Sequence, residues 1–481
     1  MTAPHTATSS STLDTPLRLL IDGKLRESPL SLDVVNPATG QVFTACARTT
    51  PELLDEAVLA ARRAFRAWSA KPWAERAALL VRMGEVIEKN GERIAVTLTM
   101  EQGKPLAQSR MEVDRAAAMC RGMSGYSLPP EVLQDDAAIH VAVHRKPLGV
   151  VAAIVPWNVP FMQAVYKIAP AILVGNTVVL KPAPTTPLTA LLLGELLADV
   201  LPAGVVNIVS DGGDIGPLLV AHREVSLVSF TGSTATGKAV MASAAQQLKR
   251  VTLELGGNDA AVVLDDVDVA AVAPKIFRFA FFNSGQVCVS IKRIYVQAGV
   301  YDAMCDALAE LAKKARVGDG LLPETEFGPL QNRRQYEASK RYLELAHQHG
   351  KVIAGGGAPA GEGFFVQPTL VRDITEGNSL VDEETFGPVR SILRFDSIDD
   401  VVSRVNGTPY GLGSSVWSRD AAKAEDIAGR IEAGIVWINQ HLVAGAHVPI
   451  AGAKQSGIGV ESGLDGLKEL TRIHVISRAK G

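Results

Sequence analysis

From Pro147 onward the chain alternates between short apolar runs and longer stretches whose apolar residues recur every three or four positions. VVAAIVP, NTVVLKP, VVNIV and VSLVSF read as strands that are too continuously apolar to leave one face in water. Such runs belong to a parallel sheet covered on both faces. Helices are predicted between them over 161–173 and 186–201. Strands alternating with helices of about ten to fifteen residues make βαβ units and a doubly wound sheet. A sheet of that kind binds ligands beyond the carboxyl ends of its strands.

Upstream, LRLLIDGKL alternates about Asp22-Gly23 and predicts a hairpin, and VVNPATGQVF repeats the strand–turn–strand pattern. Two amphipathic helices follow between Pro51 and Lys89, one on Leu54, Val58, Ala61 and Phe65, the other on Leu79, Leu80, Met83 and Ile87. More helix is predicted over 92–100 and 104–124. Residues 139–146, IHVAVHRK, alternate as an exposed ribbon whose apolar face needs a cover, and the C-terminal KELTRIHVISR is a candidate to pair with it. A second α/β region begins after ELGGNDAAVVL, with a helix at 274–282, the strand RIYVQ, a helix at 301–314 and the strand IVWIN.

Composition narrows the function classes. The 481 residues are 47% hydrophobic and 21% charged, an ordinary globular balance for two or three domains. Net charge is −3 without a basic run, so neither nucleic acid nor an anionic membrane has an electrostatic handle. Cys46, Cys120, Cys288 and Cys305 form no CxxC or Cys/His cluster, which argues against structural zinc and a disulfide framework and fits a reducing cytoplasm. The apolar stretch at 150–155 is interrupted by Pro156 and Asn158, too soon for a membrane span. Residues 1–16 are polar and rich in Ser and Thr, without the basic start and apolar core of a signal peptide, and predict a disordered tail.

The candidate chemistry centres on FFNSGQVCVS, 281–290, where Cys288 follows a polar turn containing Gly285. A thiol at such a turn can attack a carbonyl once it is a thiolate, although a lone cysteine between Val287 and Val289 is more often a buried apolar residue. Several polar groups lie at strand ends. Asn158 could donate to an oxyanion or simply make a turn. Lys181 could reach a nucleotide or remain solvated. Glu254, flanked by apolar residues, is either a general base with a raised pKa or an ordinary strand-end acid. Glu384 is either a ribose ligand or a solvated carboxylate. FTGSTATGK, 230–238, has P-loop spacing, but Ala239 stands where magnesium binding needs Ser or Thr. Its Gly232-Ser233 turn at a helix start still suits a pyrophosphate.

In this order, PWN (156–158), KIAPAILVGNTVVLKPAP (167–184), FTGSTATGK, LELGG, FFNSGQVC, EETFGPV and KQSGIG (454–459) resemble the signature blocks of the aldehyde dehydrogenase superfamily. The resemblance spans essentially the whole chain after the tail. It implies an α/β fold with a Rossmann-like cofactor domain (17–127 and 147–254), an α/β catalytic domain (255–453) and a small β oligomerisation flap (128–146 and 467–481). It further implies Cys288 as nucleophile, an oxyanion held by the Asn158 side chain and the Cys288 N–H, and Glu254 activating water against a thioester. Lys181 and Glu384 would bind the cofactor riboses, Ser233 with Gly232 the pyrophosphate, Phe386 would lie beside the nicotinamide, and Trp157 would also bind the cofactor. Lys167 and Gly257 match positions near the catalytic centre. No metal is implied, and a homodimer or homotetramer is.

Two departures from the family pattern modify that expectation. Pro184 stands where NAD-preferring members often carry glutamate, so NAD is expected with NADP not electrostatically excluded. Ile450 replaces an aromatic residue of the substrate entrance; with Leu442, Ala444, Phe161, Met162, Tyr166, Phe282 and Val287 it predicts a roomy apolar pocket. The stretches supplying these residues contain no arginine, which favours an apolar or aromatic aldehyde over a carboxylated semialdehyde. The competing readings are a CoA-acylating relative, against which Glu254 argues, and a catalytically silent binding protein on the same scaffold, against which the joint presence of Cys288, Glu254 and Asn158 argues.

Overall fold

A computed structural model describes residues 16–359, 361–443 and 445–480. Most of the expected tail therefore lies outside the described residues. The four runs read as buried strands, Val150–Ile154, Thr177–Lys181, Val206–Ile208 and Val225–Thr231, form a parallel array that Arg250–Glu254 extends. They stand in the spatial order 206–208, 177–181, 150–154, 225–231, 250–254. The order reverses beside Val150–Ile154, where the chain leaves to one side through Thr177–Lys181 and later returns on the other through Val225–Thr231. A crevice opens at such a switch point. The predicted Asp22-Gly23 hairpin extends one edge antiparallel, with both turn residues at positive φ (53° and 72°). Gly457–Ile458, from far along the chain, closes the other edge against Arg250–Glu254.

The second sheet has seven strands, with Ala260–Val263 inside it between Arg293–Gln297 and Gly413–Trp417, all parallel. Five residues, 255–259, carry the chain from Glu254 in one sheet to Ala260 in the other. The ribbon Ile139–Pro147 pairs antiparallel with Thr471–Ala479 from Thr471↔Pro147 to Ala479↔Ile139, as its alternation predicted. Glu131–Asp135 makes this flap three-stranded. No helix among the described residues is long and apolar enough to cross a membrane.

Helix boundaries moved where side-chain caps outweighed periodicity. The helix predicted over 274–282 begins at Val269, because Asp268 accepts the Ala270 N–H at 3.0 Å. The helix predicted over 186–201 is confined to Leu188–Leu197, and its first N–H groups donate to the buried Glu101 carboxylate at 2.7 and 3.0 Å.

One buried cation ties the second sheet to the Cys288 turn. After the Val269–Phe281 helix, Asn283, Ser284 and Gly285 take φ values of 52°, 55° and 75°, a left-handed run that no helix or strand can satisfy. The Arg390 guanidinium, 0% exposed, donates to the carbonyls of Ala280 (3.0 Å), Gly285 (3.0 Å), Thr385 (2.9 Å) and Gly387 (2.6 Å), and to Ser290 Oγ (3.2 Å). Burial pushes its pKa down to about 9, which leaves it charged at neutral pH. Arg390→Met strands these acceptors and is expected to cost about 3 kcal/mol or more. Urea unfolding checks this, and a cost below about 1 kcal/mol would remove Arg390 from the scaffold.

Candidate active site

Cys288 is half-buried, whereas Cys46, Cys120 and Cys305 are fully buried. Its backbone is held from several sides. Lys292 Nζ donates to the Val287 carbonyl at 3.0 Å and also to the Cys288 carbonyl. His441 Nε2 donates to the Val289 carbonyl at 2.7 Å. The Cys288 N–H makes no hydrogen bond among the described residues, so it remains available to an oxyanion.

Two cavities meet at this cysteine. The first, about 240 Å³, opens at the switch point and is lined by Trp157, Asn158, Gly232, Ser233, Glu384 and Phe386 as well as Cys288. Trp157 and Phe386 meet edge to face, 5.3 Å between ring centroids. Ser233 caps the Thr234–Ala245 helix. Glu384 accepts the Gly257 N–H at 3.1 Å and lies 3.6 Å from Lys292 Nζ. An apolar ring slot, a helix N-terminus and a ribose-sized acceptor in one crevice fit a dinucleotide. Lys181 and Pro184 do not line this cavity. Lys181, at its strand end, ion-pairs at 2.7 Å with Asp211, a buried carboxylate that motif reading passed over.

The second cavity, about 350 Å³, contains Cys288 together with Glu254, Met162, Tyr166, Phe282, Val287, Leu442 and Ile450. Of the expected pocket residues, Phe161 is the exception. Its ring is 0% exposed and packs into the core of the first sheet. Met162 and Tyr166 stand four apart on one face of the Pro160–Leu173 helix, and Phe161 falls about 100° round from Met162, on the core face with Val165 and Ile168. Ala444 lies outside the described residues.

The same cavity is lined by residues that the sequence did not single out. Gln108, Met111, Glu112 and Arg115 form one face of the Leu106–Ser124 helix, while Arg278, Phe279 and His441 come from the other side. Their signal was a run of polar positions three and four apart, which reads equally well as a solvated helix face. Lys104 was missed too. Buried and ion-paired with Glu112, it donates to the Asn158 carbonyl at 2.8 Å.

Asn158 Nδ2 donates to the Gln286 carbonyl at 2.9 Å, joining its strand end to the Cys288 turn. An amide has two N–H bonds, so one donor is left for a ligand. Burial pushes the Glu254 pKa up to about 8, with Glu461 adding to the shift and Lys167 opposing it. Lys167 ion-pairs with Glu461 and donates to Ser229 Oγ at 2.9 Å. Burial, followed by the nearby Glu254, raises the Cys288 thiol well above its usual range, and Lys292 works against that rise. No cluster among the described residues is arranged to hold a metal ion.

The profile of the aldehyde dehydrogenase family matches residues 25–476. A Fusarium aldehyde dehydrogenase, LUC3, is 39% identical over 451 residues, covering 93% of this chain and 95% of that protein. Phenylacetaldehyde dehydrogenase of Pseudomonas fluorescens is 38% identical over 477 residues, covering 95% and 94%. The structure of Staphylococcus aureus betaine aldehyde dehydrogenase in complex with NAD+ superposes with a TM-score of 0.93 at 33% identity, covering 96% of this chain and 95% of that one. The whole-chain match and the shared fold show that this chain belongs to the aldehyde dehydrogenase family.

Proposed function

We propose that this chain oxidises an aldehyde with an apolar, preferably aromatic, body to the carboxylic acid, with NAD+ as the hydride acceptor. The observation that carries the reading is the position of Cys288 at the junction of two cavities, one fitted to a dinucleotide and the other to an aldehyde whose body lies against an apolar middle wall. The named substrate of one relative, phenylacetaldehyde, and the NAD+ held by another support the same choice.

In this mechanism the Cys288 thiolate adds to the aldehyde carbonyl, and the oxyanion is held by the Cys288 N–H and the second Asn158 N–H. Trp157, Ser233, Glu384 and Phe386 would hold the dinucleotide, whose nicotinamide would supply the hydride acceptor beside Cys288. Once Cys288 carries a thioester, Glu254 takes a proton from water, and hydroxide displaces the thiolate. The sum is aldehyde, NAD+ and water giving acid, NADH and two protons, one released by the carboxylic acid.

With a Glu254 pKa of about 8, the base gains its charge as pH rises through that value. Turnover therefore increases through about pH 8. Glu254→Gln should flatten that limb and lower kcat by about 10²- to 10⁴-fold. Cys288→Ala should abolish NADH formation from benzaldehyde at 340 nm, and turnover surviving in that variant would place the chemistry elsewhere.

Asp211 modifies the expectation about NADP drawn from Pro184. We propose that its carboxylate, 2.7 Å from Lys181 Nζ, supplies beside this lysine the negative charge that position 184 lacks. NAD+ is then preferred, and Asp211→Asn should raise the NADP+ to NAD+ ratio of kcat/KM by about tenfold. A ratio unchanged by the substitution would discard this role.

We further propose a homo-oligomer built on the flap. Ile473, Val475 and Ile476 are 58%, 52% and 45% exposed on its outer strand, more apolar surface than a solitary edge strand should show water. A Val475→Asp variant should sediment as a smaller species than the parent chain, and identical sedimentation would rule this surface out.

A further inference from the structure

The second cavity is electrically lopsided. At its inner end Glu112 is neutralised by Lys104 and Glu461 by Lys167, leaving Glu254 beside Cys288 as an acid without an ion-pair partner among the described residues. Two guanidiniums also line the cavity, Arg115 from the Leu106–Ser124 helix and Arg278 from the Val269–Phe281 helix, and both are exposed to solvent. Neither has a carboxylate within ion-pair distance among the described residues. Arg115 is near enough to Tyr166, on the cavity wall, to offset part of the upward shift that burial gives its phenol. The middle of the wall, with Met162, Phe279, Phe282 and Leu442, is apolar.

We propose that Arg115 and Arg278 form an anion-binding subsite at the mouth of this cavity. They would select aldehydes whose apolar body ends in a carboxylate distal to the carbonyl. The proposal rests on the reading that this cavity admits the aldehyde to Cys288. Guanidinium groups bind carboxylates through paired N–H donors, and Arg115 and Arg278 bring two of them, from separate helices, to the lining of one cavity. The polarity also orients the substrate. A carboxylate at the buried inner end would find Lys104 and Lys167 already paired with Glu112 and Glu461, so the neutral carbonyl enters first and the anion stays with the exposed guanidiniums. Attraction from the rim would speed the encounter with such substrates and weaken as salt is added. A cationic aldehyde of the betaine type meets the opposite field.

The test compares 3-(4-formylphenyl)propanoate with its methyl ester and with a trimethylammonium analogue of equal length, using the full-length chain and NAD+. The carboxylate is expected to exceed the ester in kcat/KM by about tenfold at low ionic strength, with the cation slowest. Added salt should narrow the gap. In the double variant Arg115→Gln, Arg278→Gln the carboxylate-to-ester ratio should fall to about one, and Arg278→Glu should invert it. Non-reactive 3-phenylpropanoate should protect the parent chain, and not the double variant, from alkylation of Cys288. Equal turnover of acid and ester by the parent, or a preference that persists in the double variant, would overturn the subsite. Failure to oxidise any of the three would instead sink the aldehyde-pocket reading beneath it.

Discussion

The site depends on a charge that the reaction does not use. The left-handed run at 283–285 turns backbone carbonyls away from any regular partner, and buried carbonyls must be satisfied somewhere. Arg390 satisfies that of Gly285, together with those of Ala280, Thr385 and Gly387 around it, and it does so from the start of the Val389–Phe395 strand, immediately after the loop carrying Glu384 and Phe386. The cysteine turn and this loop of the first cavity are thus registered against each other through one planar group with five donors. Gly285 is required there for two reasons. It takes φ 75°, and a Cβ would collide with the Gly387 carbonyl and with Arg390 itself.

A similar economy places Glu254. The strand that ends in this carboxylate belongs to the first sheet, and the strand that begins at Ala260 belongs to the second. The connection passes between the sheets through Gly256 and Gly257. Glu384 packs where a Gly256 side chain would stand, and it accepts the Gly257 N–H. The Glu254 backbone carbonyl meanwhile accepts the Gly232 N–H at 3.0 Å, from the turn of the first cavity. The two cavities are therefore consequences of one crossing, since moving that connection displaces the acid of one and the glycine turn of the other.

How much of this could be read in the chain follows from the range of the forces involved. Strands with continuous apolar runs, the Asp22-Gly23 hairpin and the alternating ribbon are local patterns, and each formed where the pattern stood. The strand-end residues Asn158, Gly232 and Glu254 were visible because a doubly wound sheet gathers strand ends at one edge. Phe161 was misplaced because a neighbour in sequence is about 100° away on a helix, so Met162 cannot speak for it. Arg115, Arg278 and His441 were invisible for the opposite reason. Their segments are remote from one another and converge through packing alone. Ser284 shows the limit of residue preference: asparagine tolerates a left-handed backbone, whereas serine has little preference for it and is held there with its Oγ donating to the Gly328 carbonyl at 2.7 Å, a contact from a distant segment.

The electrostatics of the proposed mechanism then follow from burial. Glu254 and the Cys288 thiol share a poorly solvated space, and each is pushed toward its protonated form. Two negative charges side by side there are disfavoured, so the thiolate and the carboxylate cannot serve together. The chemistry does not ask them to. The thiolate is needed while the aldehyde is being attacked, when a protonated Glu254 does not repel it. The carboxylate is needed once the sulfur is locked in a neutral thioester, when its charge meets no thiolate. Lys292, bonded to the Cys288 carbonyl, favours the thiolate, and Lys167 favours the Glu254 carboxylate, so each anion has its own nearby cation. One buried space can therefore host a nucleophile and a base in turn, because forming the covalent bond to the first makes room for the charge of the second.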